Sequence, residues 1–395
     1  MHNHPSLSKR CFSKWFVAVA TFSCSLVVLT IHQNSEQLHI STPQELRKFA
    51  FMKNHKCAGT TIENIIFRFA HKNKLNVVLP NGGNYLSTTE LFNHSSLDAT
   101  KWKNVEFDIF CLHNRWNKQE VMTLLREDVP AFTIVRDPVQ GFESMFHFLD
   151  PKLHKFYGVK DIHDMILIIQ SRSPLTNNQT LSRRMDGMIG RNQMAWDMGL
   201  SPENFDDEIV ITKEIERLDR EFDLVVVANR MEESLVLLKH LLNWPLENVV
   251  HLNLNRRKPE KSSVLSVEER KVLSDWLVAD VRIYEHFSRR FEERVAEFNR
   301  KHSTMPAFLA ALFNMDSAME RERQLLEEAN KQLYDTCVIQ ELGNEKLKGI
   351  FKEYNNNIMG FDVNRNHEWC AFYAMSEPAY LKIFQDLLLS RAMNQ

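Results

Sequence analysis

Two short segments of the sequence combine basic, hydroxyl and small residues in a pattern suited to binding phosphate groups. The first, residues 53–61 (KNHKCAGTT), lies between a candidate strand and a candidate helix. Small residues such as Gly59 let backbone N–H groups approach an anion at a helix N-terminus, while Lys56 adds a charge and Thr60 and Thr61 add donors. The segment predicts a phosphate-binding loop, although an ordinary turn with a solvated lysine is the alternative for this pattern alone.

The second segment is Arg136-Asp137-Pro138, with Ser144 eight residues after the arginine. A guanidinium can bind a phosphate through two parallel hydrogen bonds, and Ser144 can reach the same anion from the following helical turns. Taken alone, the segment is also typical of an ordinary helix start. Together, the two segments predict a site that binds two phosphate groups. The sequence lacks G-x-x-x-x-G-K-[ST], which argues against an ATP or GTP hydrolase.

Both segments follow candidate strands. Four stretches have strand-like composition, namely residues 47–53, 107–112, 131–135 and 223–228. Apolar residues recur at helical spacing in residues 60–71, 142–148 and 232–242. Strands separated by helices predict a parallel sheet in an α/β fold.

The C-terminal half is dominated by helical patterns. Ser266 with Glu269 forms a capping-box signature, and the apolar residues between Leu273 and Val295 predict one long helix after it. We expect the main domain to end near residue 300. Residues 301–395 are expected to form a helical extension of it, with a charged helix at 317–332 that could also pair with another chain, followed by irregular chain.

Several further segments of the sequence, together with the two described above, resemble those of a known protein family. The two segments lie in FMKNHKCAGTTIENIIFRF and FTIVRDPVQGFESMFHF, and the other blocks are LPNGGN, FCLHNRW, RNQMAWDMG and FDLVVVANRMEESLVLLKHLLNW. These blocks, over about residues 47–300, resemble the galactose-3-O-sulfotransferase family, which includes galactosylceramide sulfotransferase. The chain departs from the family's Thr-Gly-Ser-Ser loop by having Cys57-Ala58-Gly59-Thr60, which keeps its small-residue and hydroxyl character.

The resemblance implies a P-loop-like parallel-sheet sulfotransferase fold and a donor, 3′-phosphoadenosine 5′-phosphosulfate (PAPS). It implies transfer of a sulfuryl group to a galactose hydroxyl, the 3-hydroxyl of a terminal β-galactose on a glycolipid or glycoprotein glycan. Lys56 would contact the leaving phosphate, and Thr60 and Thr61 the 5′-phosphate, within a loop that includes Cys57 and Gly59. Arg136 and Ser144 would contact the 3′-phosphate.

A general base is also required, because a sugar hydroxyl is a poor nucleophile. His113 follows a candidate strand between the two phosphate-binding segments, and it matches the histidine assigned as base in related Golgi sugar sulfotransferases. A purely structural histidine is the alternative. His55, beside Lys56 in the loop, is the rival base.

Acceptor binding is assigned to Arg191, Asn192 and Trp196, since amide, cationic and aromatic groups suit the hydroxyls and faces of a sugar. Packing is the alternative for all three. We expect no metal, because the sequence has neither a D-x-D motif nor a zinc-type cluster of His and Cys. This argues against a metal-dependent type II Golgi glycosyltransferase, which remains an alternative function together with a membrane-anchored lectin or scaffold.

The N-terminus predicts a membrane anchor. Residues 15–31 are a continuous apolar run, preceded by Lys9, Arg10 and Lys14. Positive charges on this side predict type II topology, with a cytosolic tail (1–14), an anchor (15–31), a stem (32–46) and a lumenal domain from residue 47. A cleaved signal peptide is the alternative. We therefore expect a single-pass protein of the Golgi membrane.

A lumenal location fits two glycosylation sequons, at Asn93 and Asn178. It also permits disulfides, and three pairings are open to the four cysteines beyond the anchor. Cys337 with Cys370 is preferred because both lie in the C-terminal region, and free buried thiols are the alternative. With a net charge of −2 and 44% apolar residues, the chain is expected to be globular and to bind no nucleic acid. Homo-oligomerisation stays open.

Overall fold

The computed structural model describes residues 44–393 apart from 99–101, 103–104, 150–151, 153–157, 172–189, 262 and 304–315. The predicted tail, anchor and most of the stem lie outside the described residues, as does Asn178. Within the part of the chain that is described, no helix is both long and apolar enough to cross a membrane. The residues from Glu45 onward form one compact unit.

Four parallel strands form the central sheet. They are β1 (Phe49–Met52), β2 (Ile109–Phe110), β3 (Ala131–Val135) and β4 (Leu224–Val227), in the order β2-β1-β3-β4. All strand residues are buried, as is usual for parallel sheets covered on both faces. The predicted parallel α/β fold is confirmed. The strand expected at 107–112 is only two residues long.

Helices connect and cover the strands. They are α1 (Gly59–Asn73), α2 (Lys118–Leu125), α3 (Pro138–Phe148), α4 (Ile162–Gln170), α5 (Gln193–Asp197), α6 (Glu208–Glu221), α7 (Met231–Leu241), α8 (Leu246–Val249), α9 (Val267–Trp276), α10 (Val278–His302), α11 (Ala318–Cys337), α12 (Glu368–Ala374) and α13 (Glu377–Met393). Short loops lead from β1 into α1, from β3 into α3 and from β4 into α7. Because parallel strands end at the same sheet edge, the starts of these three helices lie along one edge.

The long helix predicted after Ser266 is two helices. The predicted capping box is present, with the Ser266 hydroxyl accepting the N–H of Glu269 and the Glu269 carboxylate accepting the N–H of Ser266. The prediction of a single helix is wrong, because Leu277 (φ −101°, ψ 43°) leaves the helical conformation. Leu277 joins a small apolar cluster with α3 and α4, whereas Phe287 of α10 packs in the main core. Residues of one continuous apolar pattern in the sequence therefore pack in two different hydrophobic clusters.

The chain after α11 is ordered, so the expectation of irregular structure there is wrong. It forms an antiparallel pair, β5 (Val338–Gly343) and β6 (Met359–Val363), before α12 and α13. The sequence of β5 lacks the apolar pattern of a buried strand because most of its residues face solvent; Ile339, for example, is 62% exposed. A disulfide joins Cys337 to Cys370, whereas Cys57 and Cys111 are buried free thiols.

A buried ion cluster ties the C-terminal helix to the sheet. The Nζ atom of Lys53, immediately after β1, lies 2.6 Å from Oε2 of Glu63 in α1 and 2.9 Å from Oε2 of Glu377, the first residue of α13. The three side chains are at most 5% exposed. Burial alone would lower the pKa of Lys53, but Glu377 and Glu63 outweigh it and hold that pKa well above its usual value. Lys53 is therefore a permanent cation inside the protein.

We predict that Lys53→Met lowers the free energy of unfolding by about 3–5 kcal/mol, because it leaves two buried carboxylates without their cation. Urea denaturation followed by circular dichroism measures the change. Lys331→Met is the matched control, because Lys331 pairs with Asp335 on the exposed surface, and it should leave stability within error of the wild type. Equal stability of Lys53→Met and Lys331→Met would contradict the structural role of Lys53.

Candidate active site

A cavity of about 690 Å³ lies at the sheet edge where the strands end. Residues following each of the four strands line it, among them Lys53 after β1, His113 after β2, Arg136 after β3 and Ala228 after β4. In open parallel sheets this edge is the usual place for ligands. The cavity is thus a direct product of the sheet topology.

One end of the cavity unites the two predicted phosphate-binding segments. Lys56, Gly59 and Thr60, at the start of α1, line it together with Arg136 and Ser144 from the β3–α3 unit. Nη1 of Arg136 donates a hydrogen bond of 2.9 Å to the backbone carbonyl of Lys56. This contact joins the two loops directly, so a single anionic ligand can contact both.

The loop before α1 has the backbone of an anion-binding turn. Lys56 and Ala58 have positive φ values of 59° and 60°, a left-handed conformation that costs a non-glycine residue about 1–2 kcal/mol. Ala58, the residue that precedes the helix, provides no side-chain cap for its first N–H groups. Gly59 allows α1 to approach Lys53, since a Cβ atom at Gly59 would lie 2.9 Å from Cγ of Lys53. Such strained turns are typical of functional sites.

The cations at this end of the cavity crowd one another. Burial, then the neighbouring Arg136, Lys53 and Arg257, lower the pKa of Lys56 to about 7. Burial also lowers the pKa of Arg136, and Arg257 acts in the same direction. Nζ of Lys56 lies 3.6 Å from the ring centroid of Phe148. A cluster whose charges repel one another is complementary to a ligand with several negative charges.

Cys57, in the loop before α1, and Thr61, in the first turn of α1, do not line the cavity. The Cys57 thiol is buried, which raises its pKa, and it donates to the carbonyl of His55. The Thr61 hydroxyl accepts the N–H of Leu254 at 3.3 Å. Their side chains stabilise the loop, so any contact with a ligand from these positions would come from the backbone.

The sequence did not predict two further parts of the cavity lining, the loop after α8 and the residues between β4 and α7. Asn255, Arg256 and Arg257 line the cavity, as does Asn229 after β4. Asn255 donates to the Thr60 hydroxyl at 3.1 Å, and Arg257 pairs with Glu143 of α3 at 2.8 Å. The three consecutive basic residues at 256–258 are the sequence feature that could have indicated an anion-binding role for this loop.

Two histidines, His55 before α1 and His113 after β2, lie against each other in the cavity lining. The rings of His55 and His113 stack with centroids 4.0 Å apart, and both line the cavity. Nδ1 of His113 lies 3.2 Å from the carbonyl oxygen of Lys53. Since a carbonyl only accepts, Nδ1 is the donor in this contact, and the neutral imidazole then has its lone pair on Nε2.

His55 is held by a carboxylate and a phenol. Its Nδ1 lies 2.7 Å from Oδ2 of Asp197, which also accepts the backbone N–H of His55 at 2.8 Å. Its Nε2 lies 3.0 Å from the hydroxyl of Tyr85. Asp197 is buried at the end of α5. A carboxylate–imidazole pair of this kind fixes the tautomer and orientation of the ring.

Arg191, Asn192 and Trp196 do not line the cavity. Arg191 pairs with Asp206 at 2.6 Å, and Trp196 is buried under the guanidinium of Arg115. Oδ1 of Asn192 accepts the N–H of Asp280 at 3.0 Å. The cavity lining therefore gives no support to their assignment to sugar binding.

The segment that contains these residues contributes to the site by positioning His55 through Asp197. The carboxylate of Asp280 accepts N–H groups at the start of α5, from Ala195 at 2.8 Å and Met194 at 3.3 Å. The helix that it anchors carries Asp197, which holds His55. In the described part of the chain, no group of three or more His, Cys, Asp or Glu side chains is placed to hold a metal ion, and the expected independence of metal stays a prediction.

A mixed α/β fold with a parallel sheet fits the sulfotransferase class of folds. The sequence model of the galactose-3-O-sulfotransferase family matches residues 12–385. Because this match covers nearly the whole sequence, the chain belongs to the galactose-3-O-sulfotransferase family and is an enzyme of the sulfotransferase class.

Individual relatives agree with the family match. Galactose-3-O-sulfotransferase 2 of Sus scrofa is 30% identical over 73% of this chain and 72% of its own length. Galactosylceramide sulfotransferase of Mus musculus is 29% identical over 75% of this chain, but the alignment spans just under two thirds of that protein, 65%. Galactose-3-O-sulfotransferase 3 of Mus musculus is 27% identical over 94% of this chain and 88% of its own length.

Proposed function

We propose that the chain transfers the sulfuryl group of PAPS to the 3-hydroxyl of a terminal β-galactose on a glycolipid or glycoprotein glycan. The observation that carries the proposal is the hydrogen bond between Arg136 and the carbonyl of Lys56, which unites two anion-binding loops on one cavity. The relatives bear names of galactose and galactosylceramide sulfotransferases. PAPS supplies the activated sulfuryl group in this reaction class.

The cationic end of the cavity would hold the donor. Lys56, Thr60, Arg136 and Ser144 all line this end. Lys56, the first N–H groups of α1 and the Thr60 hydroxyl would contact the 5′-phosphosulfate, and Arg136 with Ser144 would contact the 3′-phosphate. These groups are fixed before the ligand arrives, so they can stabilise the charge that develops on the leaving phosphate with little reorganisation.

We propose His113 as the general base. With its proton on Nδ1 and facing the Lys53 carbonyl, His113 carries its lone pair on Nε2, the nitrogen that would take the acceptor proton. His55 stacks on His113 and is itself held by Asp197 and Tyr85. We therefore assign His55 a positioning role and keep it as the rival base.

We predict that Lys56→Ala or Arg136→Ala weakens binding of 3′-phosphoadenosine 5′-phosphate, the desulfated donor, by about 1.5–3 kcal/mol. Because the pKa of Lys56 is lowered to about 7, Lys56 must take up a proton to pair with the anion at higher pH. Wild-type affinity should therefore fall between about pH 7 and pH 9, and Lys56→Arg should flatten that fall because arginine stays charged.

Isothermal titration calorimetry at several pH values measures both effects. Lys331→Ala, on the exposed surface, is the control and should bind like the wild type. Unchanged donor affinity in folded Lys56→Ala and Arg136→Ala proteins would rule out the proposed donor site and favour a lectin.

A second prediction separates the two histidines. His113→Ala should reduce kcat by about 10²–10⁴-fold, with donor affinity unchanged, because only proton transfer is lost. His55→Gln should reduce kcat less and keep the acidic limb of the pH–rate profile, because that limb would report protonation of the base His113, which this variant retains. Initial rates from pH 5 to pH 9 with PAPS and lactose provide the profile. Near-normal turnover of His113→Ala, with loss of the acidic limb in His55→Gln, would transfer the base role to His55.

We also propose that the protein is a type II membrane protein of the Golgi with a lumenal catalytic domain. The family match begins at residue 12 and so includes the apolar run 15–31. The Asn93 side chain is exposed, as a glycosylation acceptor must be.

We predict that the protein from a secretory-pathway host shifts to lower mass on treatment with an N-glycosidase, and that Asn93→Gln reduces or removes this shift. Electrophoretic mobility measures the change, with Asn178→Gln as the companion variant. Absence of any shift, together with access of cytosolic protease to the C-terminus in intact vesicles, would contradict the proposed orientation.

A further inference from the structure

The cavity has a second wall that belongs to the C-terminal part of the chain. We call it the C-terminal wall, and it comprises Glu353, Tyr354, Asn355, Ile358 and Glu377. We propose that this wall is the acceptor subsite, where Tyr354 stacks on the apolar face of the galactose ring and the Glu353 carboxylate accepts hydrogen bonds from its hydroxyls. This inference rests on the proposed function and specifies how the same cavity recognises its acceptor.

Glu353 is held rigidly in place. Its backbone N–H donates to Oδ1 of the buried Asn344 at 2.8 Å, and its carbonyl accepts from Nδ2 of Asn344 at 2.8 Å. Its carboxylate accepts the backbone N–H of Glu377 at 3.1 Å. Sugar sites need such fixed groups, since each hydrogen bond to a hydroxyl must repay the loss of water.

The wall differs in charge from the donor end. Oε1 of Glu377 accepts from Asn84 at 2.8 Å and Oε2 binds Lys53, so this carboxylate is committed to the protein. Glu353 stands beside it, and burial, then Glu377, raise the pKa of Glu353 to about 7. In its ionised form Glu353 would repel the phosphates of PAPS, whereas its carboxyl oxygens, ionised or protonated, accept hydrogen bonds from neutral sugar hydroxyls. The two ends of the cavity therefore favour ligands of different chemistry.

Tyr354 is an aromatic side chain exposed at the cavity. It is 57% exposed although it lines the cavity. One face of β-galactose presents C–H groups only, and an open aromatic ring beside hydrogen-bonding groups provides a surface that matches this face.

The wall also adjoins the reacting groups. Asn355 donates to the carbonyl of Phe148 at 2.6 Å, and the Phe148 ring lies under Nζ of Lys56. On the other side, Glu377 binds Lys53, whose carbonyl holds His113. A sugar on this wall would thus lie between the proposed base and the lysine of the donor loop.

The test uses the full-length protein in detergent, with lactose as the acceptor. Tyr354→Ala should raise the KM for lactose about tenfold, the effect of losing one stacking platform, whereas Tyr354→Phe keeps the ring and should stay near the wild type. Glu353→Gln can still accept the Glu377 N–H, so it should fold, and it too should raise the KM for lactose about tenfold. Affinity for 3′-phosphoadenosine 5′-phosphate should not change in any of them. Tyr334→Ala, a partly exposed tyrosine that does not line the cavity, is the matched control.

The outcomes distinguish this inference from the proposed function. If the wild type transfers sulfuryl groups to lactose but Tyr354→Ala and Glu353→Gln keep the wild-type KM, the acceptor subsite lies elsewhere and only this inference fails. Weaker donor binding in both variants would likewise overturn it, because the wall would then serve the donor. A wild type that binds the desulfated donor and modifies no galactoside would overturn the proposed acceptor and the subsite together.

Discussion

The architecture depends on one buried cation. Lys53 follows β1 directly. Its ammonium group binds Glu63 of α1 and Glu377 of α13, and its carbonyl contacts His113. A buried lysine would normally lose its proton, but two carboxylates within 3 Å keep it charged. The same residue thereby links the sheet, helices α1 and α13 and the proposed base.

The sequence predicted the parts of the fold and site that are local. The strand at 131–135 and the capping box at Ser266 follow from apolar runs and short-range hydrogen bonding, which neighbouring residues determine. Lys56 and Arg136 could be placed because each lies in a short loop between a buried strand and a helix. Parallel topology then brings them to one edge of the sheet, although the residues are 80 positions apart.

The rest depends on long-range packing. Glu377 binds Lys53 across 324 positions, and no local pattern marks it as part of the cavity. Leu277 continues a helical apolar pattern, yet α9 and α10 pack on different cores and the helix breaks there. Asn192 lies in a segment whose residue types suited a sugar, but its side chain anchors the chain before α5. Residue type alone does not distinguish a group that contacts a ligand from one that supports such a group.

The position of Glu377 in the chain also has a consequence for biosynthesis. Ribosomes release the N-terminal part first, so β1 and α1 emerge long before Glu377, the second carboxylate that binds Lys53. Until then, the nascent domain holds a lysine with one partner and an open surface where α13 will pack. The domain should therefore complete its fold only after α13 has left the ribosome, and a chain truncated before Glu377 should be recognised by the cell's quality control as incomplete.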